Sequence, residues 1–206
     1  SDKKNIFSFL RSKGLLVPWW KSEVRDAGLL NRLDFETSGL LIFSLKEEIY
    51  NQIIKNRHRI MRKKVYLAIV EGELKEEKEL SHQITSCGQR GEKMKVILPE
   101  HMKKKEDKVV KVAHLKAVPL EYNKEKKATL VKIFLNEGHR HQIRLQLAAI
   151  GYPLVSDELY GSKSSLLESF YLRAISYQLK IEGQLLTFKV DKSYLPSGFF
   201  NQNMFV

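Results

Sequence analysis

Short apolar runs separated by turn residues recur along the chain, and two segments carry helical spacing. Gly39 to Leu45 is a short continuous run that predicts a buried strand. Ser44 and Glu47 match a capping box, and Lys46 to Arg57 predicts an amphipathic helix, with Ile49, Ile53 and Tyr50, Ile54 at helical spacing. A basic connection, His58, Arg59, Arg62, Lys63 and Lys64, leads into Lys64–Val70, a strand ended by Glu71-Gly72-Glu73. Residues 75–127 are charged and less clearly patterned, with strand-like stretches at Met94–Leu98 and Val109–Leu120. Leu130–Leu135 predicts another strand, broken by Asn136-Glu137-Gly138. His139–Ile150 predicts the second helix, with Ile143, Leu147 and Ile150 on one face, Gly151 as C-terminal cap and Pro153 blocking continuation. On it, Arg140 and Arg144 would project from neighbouring turns of one side. Phe170–Gln178 and Leu185–Val190 complete the strands. Steady βαβ alternation is missing, so the pattern predicts an α+β fold with a mainly antiparallel, mixed sheet flanked by helices.

Length and charge narrow the class. The chain has 206 residues, which suits one domain or one domain of two lobes, and 43% hydrophobic content supports a buried core. Its formal net charge of +12 points to a polyanionic partner. No apolar run approaches the length of a membrane-spanning helix, so nucleic acid is favoured over a membrane. The N-terminus lacks the apolar core of a signal peptide, and Cys87 is the single cysteine, so a cytoplasmic setting is expected.

Three places could do chemistry. Asp34 stands two residues after Arg32, beside Leu33, Leu40 and Leu41, at what should be the edge of the core. A carboxylate there needs a cation or backbone donors. It is either a turn aspartate satisfied with Thr37 and Ser38, or a reactive group. His141-Gln142-Ile143-Arg144 sets polar groups beside core-facing Ile143. An arginine so placed needs a carboxylate partner, unless the face is simply basic and solvated. Tyr66 lies in line with Ala68 and Val70, as a core tyrosine or as a stacking and proton-handling one. The six histidines show no metal-ligand spacing, which argues against zinc, and there is no glycine-rich phosphate loop.

Together these blocks resemble the RluA-type RNA pseudouridine synthases. Arg32-Leu33-Asp34 with Thr37-Ser38-Gly39-Leu40-Leu41 comes first, then Lys64-Val65-Tyr66 with Ala68, Val70 and Gly72. His141-Gln142-Ile143-Arg144 and Asp157 with Tyr160-Gly161 follow in the family's order and spacing. The resemblance implies isomerisation of a uridine in ribosomal or transfer RNA to pseudouridine, without a cofactor or metal. It implies that Asp34 is the catalytic aspartate and that Tyr66 stacks on the target base and handles a proton. It further implies that Arg144 pairs with the aspartate and that Arg32 sits beside the flipped nucleotide. Lys64, Arg140, His141 and Ile143 are the accompanying RNA- and substrate-binding candidates. The chain departs from the family pattern at Asn31, where histidine is usual, at Gly138-His139-Arg140, at Gln146 and at Ser156.

The expectation is one catalytic domain over residues 1–206, without a separate N-terminal RNA-binding module, acting as a monomer. Lys103-Lys104-Lys105 is the candidate RNA-contacting loop. Two competing readings remain at this point. One is a non-catalytic RNA-binding or ribosome-assembly protein on the same fold. The other is a glycoside-cleaving enzyme, which would need Glu36 or another second carboxylate near Asp34.

Overall fold

The computed structural model describes residues 6–15, 28–88, 92–97, 111–190, 196 and 199–200. Lys103–Lys105 lies outside these residues, as do the ends of the Met94–Leu98 and Val109–Leu120 stretches. The chain divides into two compact units: Ser1–Arg32 with Leu41–Ile60, and Leu33–Leu40 with Met61–Val206.

The first unit contains α1 (Ile6–Ser12), α2 (Glu47–Lys55) and α3 (Arg57–Ile60). The strand expected over Gly39–Leu45 does not form as one element. Beyond Leu40 the chain makes only local pairing: Leu29 bridges Phe43, and the Leu30 N–H donates to the Ile42 carbonyl at 2.8 Å. Asn31 is buried, and its Oδ1 accepts the Ile42 N–H at 2.8 Å. A side chain thus takes the place of a ladder partner, and Asn31 has a structural job here. The Ser44–Glu47 capping box does not form either. The Ser44 hydroxyl donates to the Lys46 carbonyl at 2.7 Å, which leaves Lys46 as the N-cap residue of α2 without a side-chain cap. The helix stops at Lys55, where the Asn56 side chain and N–H both bind the Gln52 carbonyl.

The second unit is an eight-stranded sheet: β1 (Ser38–Gly39), β2 (Met61–Glu71), β3 (Lys78–Cys87), β4 (Lys93–Val96), β5 (Lys111–Asn123), β6 (Ala128–Leu135), β7 (Leu172–Ile181) and β8 (Gln184–Lys189). The order is β1-β7-β2-β6-β5-β3-β4, with β8 also on β7. Among the described residues β1 and β7 pair in parallel and the other strand pairs are antiparallel. The fold is the expected α+β arrangement around a mainly antiparallel sheet. β3 is the strand that the sequence did not predict. Pro119 has no N–H to give the ladder, and the β5–β6 register shifts there. Glu182 and Gly183 both have positive φ, which closes β7 and β8 with a two-residue turn.

β2 lies between β6 and β7, and Leu67, Ala68, Ile69 and Val70 are each 0% exposed. Such a strand needs apolar residues on both faces, which is why its sequence reads as one unbroken run. Leu67 and Ile69 pack with Leu130, Val155, Phe199 and Phe200 on one face. Tyr66 faces the other side, whose register runs through Ile133 of β6 to Ala117 of β5. Helix α4 (Gln142–Ala149) binds β5 through Gln146, whose amide donates to the Ala113 carbonyl at 2.9 Å. Each large apolar side chain so buried contributes roughly 1.5–3 kcal/mol, which is what holds the scaffold rigid under the site.

Candidate active site

Asp34 opens a tight turn in which the Thr37 N–H donates to the Asp34 carbonyl at 3.0 Å. The turn is tied down at once. Ser38–Gly39 pairs with Arg173–Ala174, and the Leu40 N–H donates to the Ala174 carbonyl at 3.0 Å. Gly39 has φ +112°, and a Cβ there would stand 2.2 Å from that same carbonyl, so only glycine fits. Ala174 is also the β7 partner of Tyr66. One rung therefore links the Asp34 turn to the tyrosine strand.

Tyr66 is buried, with its hydroxyl 2.8 Å from that of Tyr177 and the two rings edge to face at 6.2 Å. Burial, then the Tyr177 hydroxyl and the charge of Asp34, push its pKa well above the ordinary phenol value. Tyr66 is thus a neutral phenol whose hydroxyl is already engaged.

Arg144 projects from α4 into a buried slot. Its Nε and Nη2 donate to Asp157 Oδ2 and Oδ1, both at 2.7 Å, and both side chains are nearly inaccessible. The guanidinium lies over the rings of Phe170, at 4.3 Å, and Tyr160, at 5.0 Å. Burial alone would lower its pKa, but the hydrogen bonds and charge of Asp157 raise it. The expected Arg144–Asp34 pair is therefore corrected: the bidentate partner is Asp157, and Asp34 acts on Arg144 through charge alone. The charge of Asp34 raises the proton affinity of Tyr66, His141 and Arg144 alike.

The other sequence candidates divide. His141 is half-buried in a left-handed conformation, φ 53°, just before α4. Its Nδ1 is 2.9 Å from the Tyr160 hydroxyl, which accepts the Met94 N–H at 3.1 Å. The Tyr160 hydroxyl thus joins His141 to the start of β4, and the direction of its bond to Nδ1 follows the imidazole tautomer. Lys64 is buried two residues before Tyr66, and its Nζ lies so close to Gly138 that a Cβ there would stand 2.8 Å away. Arg140 is exposed and donates to the Glu92 carbonyl. It precedes α4, so it does not share a helical side with Arg144. Ile143 is 6% exposed, a core residue with little surface left for a substrate. Arg32 is exposed and belongs to the first unit. The site-candidate reading of the sequence missed Tyr177, Tyr160 and Phe170, and the role of Asp157. A cavity of about 590 Å³ lined by Lys63, Ser81, His114, Lys116 and Phe134 borders none of the residues Asp34, Tyr66, Arg144 or His141.

Burial holds both His141 and His82 below the ordinary histidine pKa of 6.5; for His141, Asp34 opposes this while Arg144 and Arg140 add to it. Below that pH the unfolded chain takes up protons that the folded chain refuses, so stability falls as pH drops from about 6.5. Melting temperatures measured between pH 8 and pH 5 will decline over that acid window, and a His82→Gln, His141→Gln variant will show a flatter decline.

A family model described as RNA pseudouridylate synthase matches residues 7–149. An uncharacterized RNA pseudouridine synthase of Helicobacter pylori is 31% identical over 147 residues, 71% of this chain and 56% of that protein. The dual-specificity RNA pseudouridine synthase RluA of Vibrio parahaemolyticus is 24% identical over 174 residues, 84% of this chain and 65% of its own. The chain spans about half the length of the first of these relatives. Human RNA pseudouridylate synthase domain containing 1 shares the fold, with a TM-score of 0.68 and 23% identity over 82% of this chain and 70% of that one. The matched region contains Asp34, Tyr66 and Arg144. With that match spanning more than half of the residues, the chain belongs to the RNA pseudouridylate synthase family, in its RluA-type group.

Proposed function

We propose that this chain isomerises uridine to pseudouridine in RNA, with Asp34 at the reacting sugar–base junction. The observation that carries the reading is the rung at Ala174 that ties the Asp34 turn to the Tyr66 strand, with the charge of Asp34 felt at Tyr66, Arg144 and His141. The reaction breaks the bond from C1′ to N1 and forms one from C1′ to C5. C5 loses a proton and N1 gains one, so nothing is consumed. A carboxylate suits the electron-poor C1′ centre. The uridine must leave its stack to turn over, and on this reading it meets Tyr66 at the small part of the side chain that stays exposed. The Tyr66 hydroxyl is neutral and bonded to that of Tyr177, so the pair offers a route along which a proton can be relayed. Arg144, clamped by Asp157, supplies a fixed positive field beside Asp34 rather than a mobile partner.

Ribosomal and transfer RNA are the substrates we favour, because relatives are named for ribosomal large subunit and tRNA pseudouridine synthases. A cytoplasmic monomer is the matching setting. Binding of RNA without chemistry is the second reading, favoured by the net charge of +12 alone. A pseudouridine map of total RNA from cells with and without the chain distinguishes them. We expect at least one uridine whose modification depends on the chain. No dependent site in any RNA would leave the binding reading in its place.

A further inference from the structure

We propose that Phe35 is a nucleobase-stacking wedge, whose ring enters the RNA stack beside the extruded uridine; this rests on the reading of the chain as an RNA isomerase. Phe35 is 103% exposed, against 69% for Leu45, the next most exposed large apolar side chain among the described residues. Its ring gains nothing from folding. Singly exposed apolar side chains are common on proteins, but this one differs in where it is fixed.

It follows Asp34 directly, inside the turn closed by the Thr37 N–H on the Asp34 carbonyl. That turn is anchored by the Ser38–Gly39 pairing with β7 and by a glycine with no room for a side chain. The bare ring is therefore presented on a rigid support. Phe35 is the next residue of the turn after Asp34, so its ring is held beside the nucleotide whose sugar Asp34 engages. Extruding a uridine opens a gap in the stack, and apolar wedges are well suited to unstacked steps. On the reading of the chain as an RNA isomerase, the RNA that brings uridine to Asp34 is the partner that meets this ring, and the net charge of +12 favours that polyanion. Stacking on an aromatic face tolerates any base, so Phe35 would help extrusion without choosing the sequence.

The test uses the full chain and a synthetic hairpin built around the uridine that the wild type modifies most in the RNA map, with 2-aminopurine beside the target. Phe35→Ala should lower kcat/KM on the hairpin about tenfold or more, the size of losing one stacked base. It should also lose the 2-aminopurine fluorescence change on binding, with the melting temperature unchanged. Phe35→Tyr and Phe35→Trp should stay near the wild type. An active wild type with Phe35→Ala within twofold of it overturns the wedge alone. Aromatic replacements as poor as alanine, or a fall in melting temperature for Phe35→Ala, overturn it as well. A wild type that modifies no RNA removes the isomerase reading and the wedge together.

Discussion

Asp34→Asn will abolish pseudouridine formation, by more than about 10⁴-fold, as expected when a group that touches the reacting atoms is lost. Asparagine keeps the shape of the side chain and removes its charge. The turn does not depend on that charge: it closes through the Asp34 carbonyl and is held by Gly39 and Leu40 on Ala174. Among the described residues, no cation forms a direct ion pair with Asp34, so no buried partner is stranded by the change. The variant should therefore fold with an unchanged melting temperature and bind RNA with near wild-type affinity. Equal activity of Asp34→Asn and wild type on the mapped RNA would place the chemistry elsewhere.

Arg144→Met will act differently, through the fold as well as the reaction. Asp157 is 2% exposed and receives both hydrogen bonds of the guanidinium. Removing the arginine leaves an uncompensated charge inside the protein, a loss of about 3–5 kcal/mol. For a chain of this size that corresponds to roughly 10 °C in melting temperature. Asp157→Asn should cost less, because the amide still accepts one bond from Arg144. The double variant Arg144→Met, Asp157→Leu should recover most of the stability and none of the activity. If it recovered activity too, Arg144 would be a scaffold residue only. Thermal melts and the hairpin assay on the three variants separate these outcomes.

The same pair marks the limit of what the sequence disclosed. The need of Arg144 for a carboxylate was legible from its place beside an apolar helix face. Which carboxylate was not, because Asp157 reaches it only through the loop after α4. Tyr177 lies 111 residues from Tyr66 and meets it only because β2 and β7 are neighbours. β2, β6 and β7 could be read because they sit in the core and carry long apolar runs. β3 could not, since Lys78, Glu79, Ser81, His82 and Gln83 leave most of its length polar. Ser44 and Glu47 had the right spacing for a cap, but the Ser44 hydroxyl donates instead to the Lys46 carbonyl, two residues on. Asp34 and Tyr66 stood out through their family blocks, whereas the full exposure of Phe35 depends on what the rest of the chain leaves uncovered.

The clamp on Arg144 also divides the work of the charges. Arg144 and Asp157 answer each other as a bidentate pair, which leaves Asp34 without a direct ion-pair partner among the described residues of a chain that carries +12 as a whole. On the proposed reading, RNA capture rests on the lysine and arginine excess and the isomerisation on Asp34, so surface charges could change without retuning the chemistry.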